Sequence, residues 1–453
     1  MNKNKEKFGI VLPIILLSYF MILLDNSIVF TSMVKIAADL HMDDQTLAWV
    51  SSAYTLTFGG FQLFGGRIGD VYGRKRVFLI GLLLFSFGSL MVGLSTNAPM
   101  IIAMRALQGV GSAILAPTTL ALLLDNYQGK MRSRAIAAYG TTAGIGASFG
   151  MVFGGIITSL FSWRYGFFLN VPVGLLMFLM TIRFVTEDGS KRAGQLDIMG
   201  TILSVLGLSA LVYSIDGTVY QVPALFLSML TLGLFVYVEH VVNTPIMPLR
   251  LFKDRQRNSA YISRFFFIGG AFAYYFVTTQ ALQHMYGFTP LLTGLAFLPV
   301  TIPQFIGALQ VSRLSDKIGN ARLIVIADAL VTLSFLVTIV LGLERGYWIA
   351  MVIPMIIFGF GQGLVLSPLT MEGVAHTDPE IAGAASGVVN TVHQFGQSVG
   401  VSIVIALASG GHNFSTSYHD QLLIISVISG LSLIAALFLK GNQQREPVQQ
   451  SQN

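Results

Sequence analysis

The chain has 453 residues, of which 54% are hydrophobic and 11% charged, with a formal net charge of +6 and no cysteine. Soluble domains carry roughly 25% charged residues, so this chain has too few charges to clothe a water-facing exterior and no room for a soluble catalytic module. The lack of cysteine excludes disulfides, thiolate zinc sites and cysteine nucleophiles together.

A hydrocarbon core of ~30 Å needs about 20 apolar residues per helix. Fourteen stretches approach or meet that length: 9–34, 47–66, 77–95, 99–124, 135–160, 166–185, 197–215, 223–241, 259–282, 291–312, 323–342, 347–370, 383–409 and 421–439. They predict an all-α polytopic membrane protein rather than a barrel, whose strands would alternate. With a cytoplasmic N-terminus, 22 of the 27 Lys and Arg residues fall in the N-terminus, the even-to-odd loops and the tail. This is the positive-inside bias, and an even number of spans puts both termini in the cytoplasm. The positive charge is therefore a topology signal and does not point to nucleic acid. The first stretch is too long for a removed signal peptide and lacks its cleavage site; no targeting segment is evident, which suits a bacterial cytoplasmic membrane.

In chain order, span 1 carries Asp25, with Ser18 and Ser32 seven residues to either side and so near one face. An ionised side chain at mid-bilayer costs about 2.5–3.5 kcal/mol on insertion scales, so a carboxyl there is paired, protonated or wetted by a cavity. Span 2 offers Tyr54, Phe58 and Phe61, whose faces attract cations and serve equally as packing. In span 4, Arg105, Gln108, Ser112 and Thr119 share a face, and Asp125 stands at the inner end. Asp25, tuned by Arg105, is the expected proton-linked carboxyl, followed by Asp328 and Asp125. Asp25, Tyr54, Phe58, Phe61, Gln108, Ser112 and His393 are the expected cavity lining. In span 5, Gly146, Gly150 and Gly154 recur every four residues, a spacing that permits close helix contact; Gly155 follows. Glu239 ends span 8 and reads as structural. Arg264 and Asp328 lie equally deep in spans 9 and 11, a depth that suggests an ion pair.

One internal repeat organises the chain. Gly66-Arg67-Ile68-Gly69-Asp70-Val71-Tyr72-Gly73-Arg74-Lys75 follows span 2, and Ser315-Asp316-Lys317-Ile318-Gly319 follows span 10. Each places small residues and an Asp before a turning Gly, and such repeats mark transporters built from parallel halves. The expected divisions are a six-helix half at 1–190, an extra pair with its linker at 191–258, a second half at 259–440 and a polar tail at 441–453. Asp70 can cap the next helix or pair with Arg74, Lys75 or Arg76, a cluster able to hold one side shut. No Gly-x-x-x-x-Gly-Lys-Ser/Thr or HExxH motif occurs, so energy must come from an ion gradient, with no cofactor.

These motifs resemble the major facilitator superfamily, and within it the fourteen-helix drug:proton antiporters. Gly66, Asp70, Gly73, Arg74 and Lys75 match the loop 2–3 motif. Leu24-Asp25-Asn26-Ser27 matches the helix-1 motif, with Ser27 where Thr is usual. Arg105-Ala106-Leu107-Gln108-Gly109 matches helix 4. Trp163-Arg164-Tyr165 with Asn170-Val171-Pro172 matches the segment joining helices 5 and 6, and Ala385-Ser386-Gly387 with Asn390-Thr391 resembles the helix-13 signature. The resemblance implies a non-enzymatic, monomeric exporter of amphipathic, often cationic compounds driven by protons. A dedicated proton-coupled transporter of one anion or amino acid is the alternative. Two positions depart from the pattern: Met151 stands where the helix-5 motif has Pro, and His393 where Arg is common.

Overall fold

The computed structural model describes residues 8–186, 197–216, 219–242, 245–377, 382–408 and 414–439. It is built from sixteen α-helices among these residues. The first group is α1 (Val11–Leu40), α2 (Asp44–Tyr72), α3 (Arg74–Gly93), α4 (Ala98–Asn126), α5 (Gly129–Leu160), α6 (Trp163–Phe168) and α7 (Asn170–Phe184). Two central helices follow, α8 (Ile198–Asp216) and α9 (Gln221–Val241). The last group is α10 (Arg255–His284), α11 (Pro290–Ala296), α12 (Leu298–Ile318), α13 (Asn320–Leu341), α14 (Ile353–Gly373), α15 (Ala382–Ala408) and α16 (Phe414–Leu437). All fourteen apolar stretches lie largely or wholly in helix, the sixth shared by α6 and α7 and the tenth by α11 and α12. Among the described residues, twelve helices are long and apolar enough to cross a membrane, with α6–α7 and α11–α12 each acting as one. α2 and α5, of 29 and 32 residues, fall outside that set and pack among its members.

Local sequence explains where helices begin and turn. Asp43 accepts from Thr46 N at 2.8 Å, Asn97 from Met100 N at 3.0 Å and Asp254 from Arg257 N at 2.9 Å, each satisfying an amide that has no partner within its helix. The two copies of the repeat turn alike. Gly73 (φ 98°) joins α2 to α3 and Gly319 (φ 82°) joins α12 to α13, a backbone conformation that a Cβ would strain.

Helix pairing repeats as well. α2 packs on α4, α3 on α4, α1 on α5, α3 on α7 and α1 on α7; α12 packs on α14, α13 on α14, α10 on α15, α13 on α16 and α10 on α16. Lipid is as apolar as leucine, so such packing relies on close backbone approach more than on burial. A Cβ at Gly150 would stand 2.5 Å from the Ser27 Cβ, and one at Gly154 2.8 Å from the Ile28 Cα, seating α5 on α1. At Gly146 it would meet the Leu23 Cβ at 2.9 Å. Gly155 faces elsewhere, with Pro290 O 2.4 Å from its Cβ position, and so joins α5 to α11 in the other half.

The halves also meet along α2 and α15, where a Cβ at Gly387 would collide with Leu63. α8 covers this seam: Val205 fills the space beside Gly60, and Val212 clusters with Leu56, Phe395 and Val399. The outer face of α9 exposes Phe226, Met229, Leu230 and Tyr237, an apolar strip that belongs against hydrocarbon.

Candidate functional site

A cavity of about 1590 Å³ lies between the halves. Its wall takes Asn26, Ser27 and Phe30 from α1, Phe58 and Gln62 from α2, and Arg264, Phe272 and Tyr275 from α10, with Gln362 of α14 and His393 of α15. It extends to Arg67, Arg74 and Arg250 on the face that carries the α2–α3 turn. The opposite end is closed by contacts between halves. Gln283 Nε2 donates to Thr31 O at 3.2 Å, Leu291 N donates to Ser159 Oγ at 2.8 Å, and Gly294 packs on the Met151 carbonyl.

Directly behind the α1 wall, the first half holds a buried ionic centre. Asp25 is 1% exposed and Arg105 0%. Arg105 Nη1 donates to Asp25 Oδ2 at 2.7 Å, while Gln108 Nε2 and Asn170 Nδ2 each donate to Oδ1 at 2.8 Å. Arg105 Nε donates to Val50 O at 3.0 Å, and its guanidinium stacks 4.1 Å from the Tyr54 ring centroid. The Tyr54 hydroxyl in turn meets Ser112 Oγ at 2.8 Å. A buried pair repays its desolvation only with close geometry and further hydrogen bonds; here both Asp25 oxygens are satisfied, while Arg105 Nη2 has no partner among the described residues.

The second half separates its charges. Asp328, 1% exposed, accepts from Ser432 Oγ at 2.7 Å and Ser263 Oγ at 3.2 Å, and its Oδ1 has no partner. Arg264 points elsewhere: its Nη1 donates to Thr370 Oγ1 at 2.8 Å, and its Nη2 lies 3.2 Å from His393 Nδ1. The ion pair expected from equal depth does not form. The residue beside Arg264, Ser263, is the one that faces Asp328.

Of the residues expected to line the cavity, Phe58 and His393 do so. Asp25, Tyr54, Gln108 and Ser112 form the centre behind the wall, and Phe61 packs against Phe64. In the turn motif, Arg74 pairs with Asp125 of α4, and Lys75 Nζ donates to Ile182 O at 3.0 Å near the end of α7. The Asp70 side chain lies outside the described residues, and Asp316 is exposed. Close approach of α2 to α4 occurs at Gly65, where a Cβ would stand 2.2 Å from Ala113 O; Gly66 has ordinary space, with Pro117 Cβ at 3.6 Å. Asn170 and Gly65 are contributors that sequence reasoning did not assign to these sites, as are Phe30, Gln62, Arg264, Phe272, Tyr275 and Gln362 of the cavity wall. Asn170 sits beside Pro172 in the helix 5–6 segment, and that was its only signal.

A family model described as Major Facilitator Superfamily matches residues 15–401. This chain belongs to that superfamily. Curated relatives include a puromycin resistance protein of Streptomyces alboniger, 33% identical over 88% of this chain and 81% of that protein. A cephamycin export protein of Amycolatopsis lactamdurans is 31% identical, covering 87% and 84%. The multidrug resistance protein Stp of Mycobacterium tuberculosis is 30% identical, covering 86% and 73%. Among solved structures, the nucleoside transporter NupG superposes with a TM-score of 0.67 at 13% identity, covering 95% of this chain and 100% of that one. A bacterial homologue of the lysosomal transporter Spinster gives 0.65 at 14%, covering 95% of each. These two likenesses concern the fold. The chain is thus a multi-pass membrane transporter and not an enzyme.

Proposed function

We propose that this transporter is a proton-driven exporter of amphipathic compounds, working by alternating access in a bacterial cytoplasmic membrane. In this reading the chain crosses the bilayer fourteen times with both termini inside, and the cavity faces the cytoplasm. The observation that carries the coupling is the Asp25–Arg105 pair, which lies immediately behind Asn26 and Ser27 of the cavity wall. Protonation of Asp25 would cancel the ionic bond between α1 and α4 and leave Arg105 to Val50 O and Gln108. Because α1 also packs on α5, α10 and α11, loosening it from α4 would bias the closed end toward opening. The relatives named for antibiotic resistance and export support the direction of transport. One charge crossing 100 mV supplies ~2.3 kcal/mol, enough for a gradient of tens-fold at ~1.4 kcal/mol per tenfold.

Purified protein in liposomes, with pH and voltage set independently, tests this reading. Asp25→Asn is expected to abolish uphill dye efflux and substrate-induced proton release, while downhill exchange persists. Survival of both in the mutant would move coupling to Asp328, a second reading favoured by its donor-free Oδ1.

A further inference from the structure

Among the described residues, Arg264 has no counter-charge. α10 begins at Arg255, so at 1.5 Å per residue Arg264 lies about 14 Å along the helix, and it is only 6% exposed. An arginine keeps its proton in a protein, and an effective cost of several kcal/mol attends an ion withdrawn from water unless another charge compensates it. The partners of Arg264 are all neutral: Thr370 Oγ1, the Leu366 carbonyl at 3.4 Å and His393 Nδ1. Its Nε is buried with no partner. No carboxylate among the described residues comes within 4.0 Å of it, whereas Arg105 in the other half has Asp25 at 2.7 Å.

The surroundings show what would complete it. Arg264 and His393 both line the cavity. Arginine can only donate, so His393 Nδ1 accepts, and the ring presents its proton on Nε2 as a further donor. Among the described lining residues that are charged whatever the state of histidine, Arg67, Arg74, Arg250 and Arg264 stand with one carboxylate, Glu239. Arg74 already holds Asp125. Glu239 accepts from Met247 N at 2.9 Å through Oε2 and turns its partnerless Oε1 toward the Asp197 carboxyl. The middle of the cavity therefore offers donors and positive charge, beside the apolar faces of Phe30, Phe58 and Phe272.

We propose that Arg264, with His393 beside it, docks an anionic group of the transported molecule, so that the preferred substrates join an acidic group to an aromatic or apolar body. This rests on the export reading above and departs from the expectation of a cationic substrate. The fork of guanidinium donors matches a carboxylate or sulfonate in two-point contact, and the ring faces alongside would take the rest of the molecule.

Two dansyl compounds of matched body, one with an aminohexanoate tail and one with an aminopentyl (cadaverine) tail, test the sign directly. Binding to purified protein is read by dansyl fluorescence, and transport separately in proteoliposomes. The acid is expected to bind at least tenfold more tightly than the amine. Arg264→Gln should weaken the acid by tenfold or more without weakening the amine, and Arg264→Lys should retain part of the preference because charge remains while the fork is lost. Equal size-exclusion and melting behaviour of Arg264→Lys and the parent protein guards against misfolding. Tighter binding of the amine, or acid binding within twofold of the parent in Arg264→Gln, overturns the proposal. If neither compound is carried, the export reading fails for this class; Arg264-dependent binding of the acid would still support the site, and its absence would overturn it.

Discussion

The two halves share a pairing pattern but treat buried charge in opposite ways. In the first, a carboxylate and a guanidinium meet head-on and every oxygen of Asp25 is satisfied. In the second, Asp328 is held by serines and Arg264 by neutral acceptors, so neither meets an opposite charge; a leftover polar atom is common to both halves, at Arg105 Nη2, Asp328 Oδ1 and Arg264 Nε. Duplicated architecture fixes where helices touch, not which side chain fills each contact. A closed pair stabilises a particular arrangement of α1 and α4, whereas Arg264, on the cavity wall, has its charge turned toward the open space and Asp328 stays buried away from it.

The difference can be broken most forcefully at Arg105. Arg105→Leu should cost about 3–5 kcal/mol, since it strands a buried Asp25 without its counter-charge, and would be seen as a large drop in melting temperature in detergent. Asp25→Asn should cost less, because Arg105 keeps the Val50 carbonyl, Gln108 and the Tyr54 ring. Pairing Asp25→Asn with Arg105→Gln should recover part of the Arg105→Gln loss.

A smaller effect is expected where each half seats its helices. Gly150→Val should cost about 1–3 kcal/mol by overpacking α5 against Ser27. The matching seam in the other half is glycine on glycine, with the Gly269 Cα 2.3 Å from a Cβ at Gly400, so Gly400→Val should cost at least as much in the same melting assay.

In the second half, Asp328→Asn should shift stability by only about 1 kcal/mol, because Ser263 and Ser432 are able to serve an amide as well as a carboxyl. Combined with Arg264→Gln, the effects should add within about 0.5 kcal/mol, as expected for residues that share no partner. A strong coupling energy in that double-mutant cycle would contradict their separation. The least effect belongs to Asp125→Asn. Its pair with Arg74 is about one-quarter exposed on each side, so it is worth at most ~1 kcal/mol and should fade as salt is raised.

Position along each helix is legible from sequence, and azimuth is not. Helical stretches followed from apolar length alone, and Asp25 with Arg105 stood out because both are deep and lie on polar faces. Arg264 and Asp328 share a depth, but neighbouring residues on a helix point about 100° apart. That turn sends Ser263 toward Asp328 and Arg264 into the cavity. The same one-residue step makes Gly65, not Gly66, the position where α4 leaves no room for a Cβ. Along α2, Phe58 reaches the cavity while Tyr54, one turn earlier, lies under Arg105. Such choices depend on which neighbour occupies each side, and periodicity within a single helix does not record that.

The position of α8 gives the molecule an unequal mechanics. By lying across α2 and α15 and sharing a cluster with both, it acts like a pin driven through one edge of a clamshell. Across the cavity, α5 and α12 touch only lightly, and the heavier contact there is α5 with α11 near the closed end. Rotation of one half against the other disturbs least contact when its axis runs close to the pinned edge. The free edge then sweeps the larger arc, and the gap beside α5 and α12 is the one that widens.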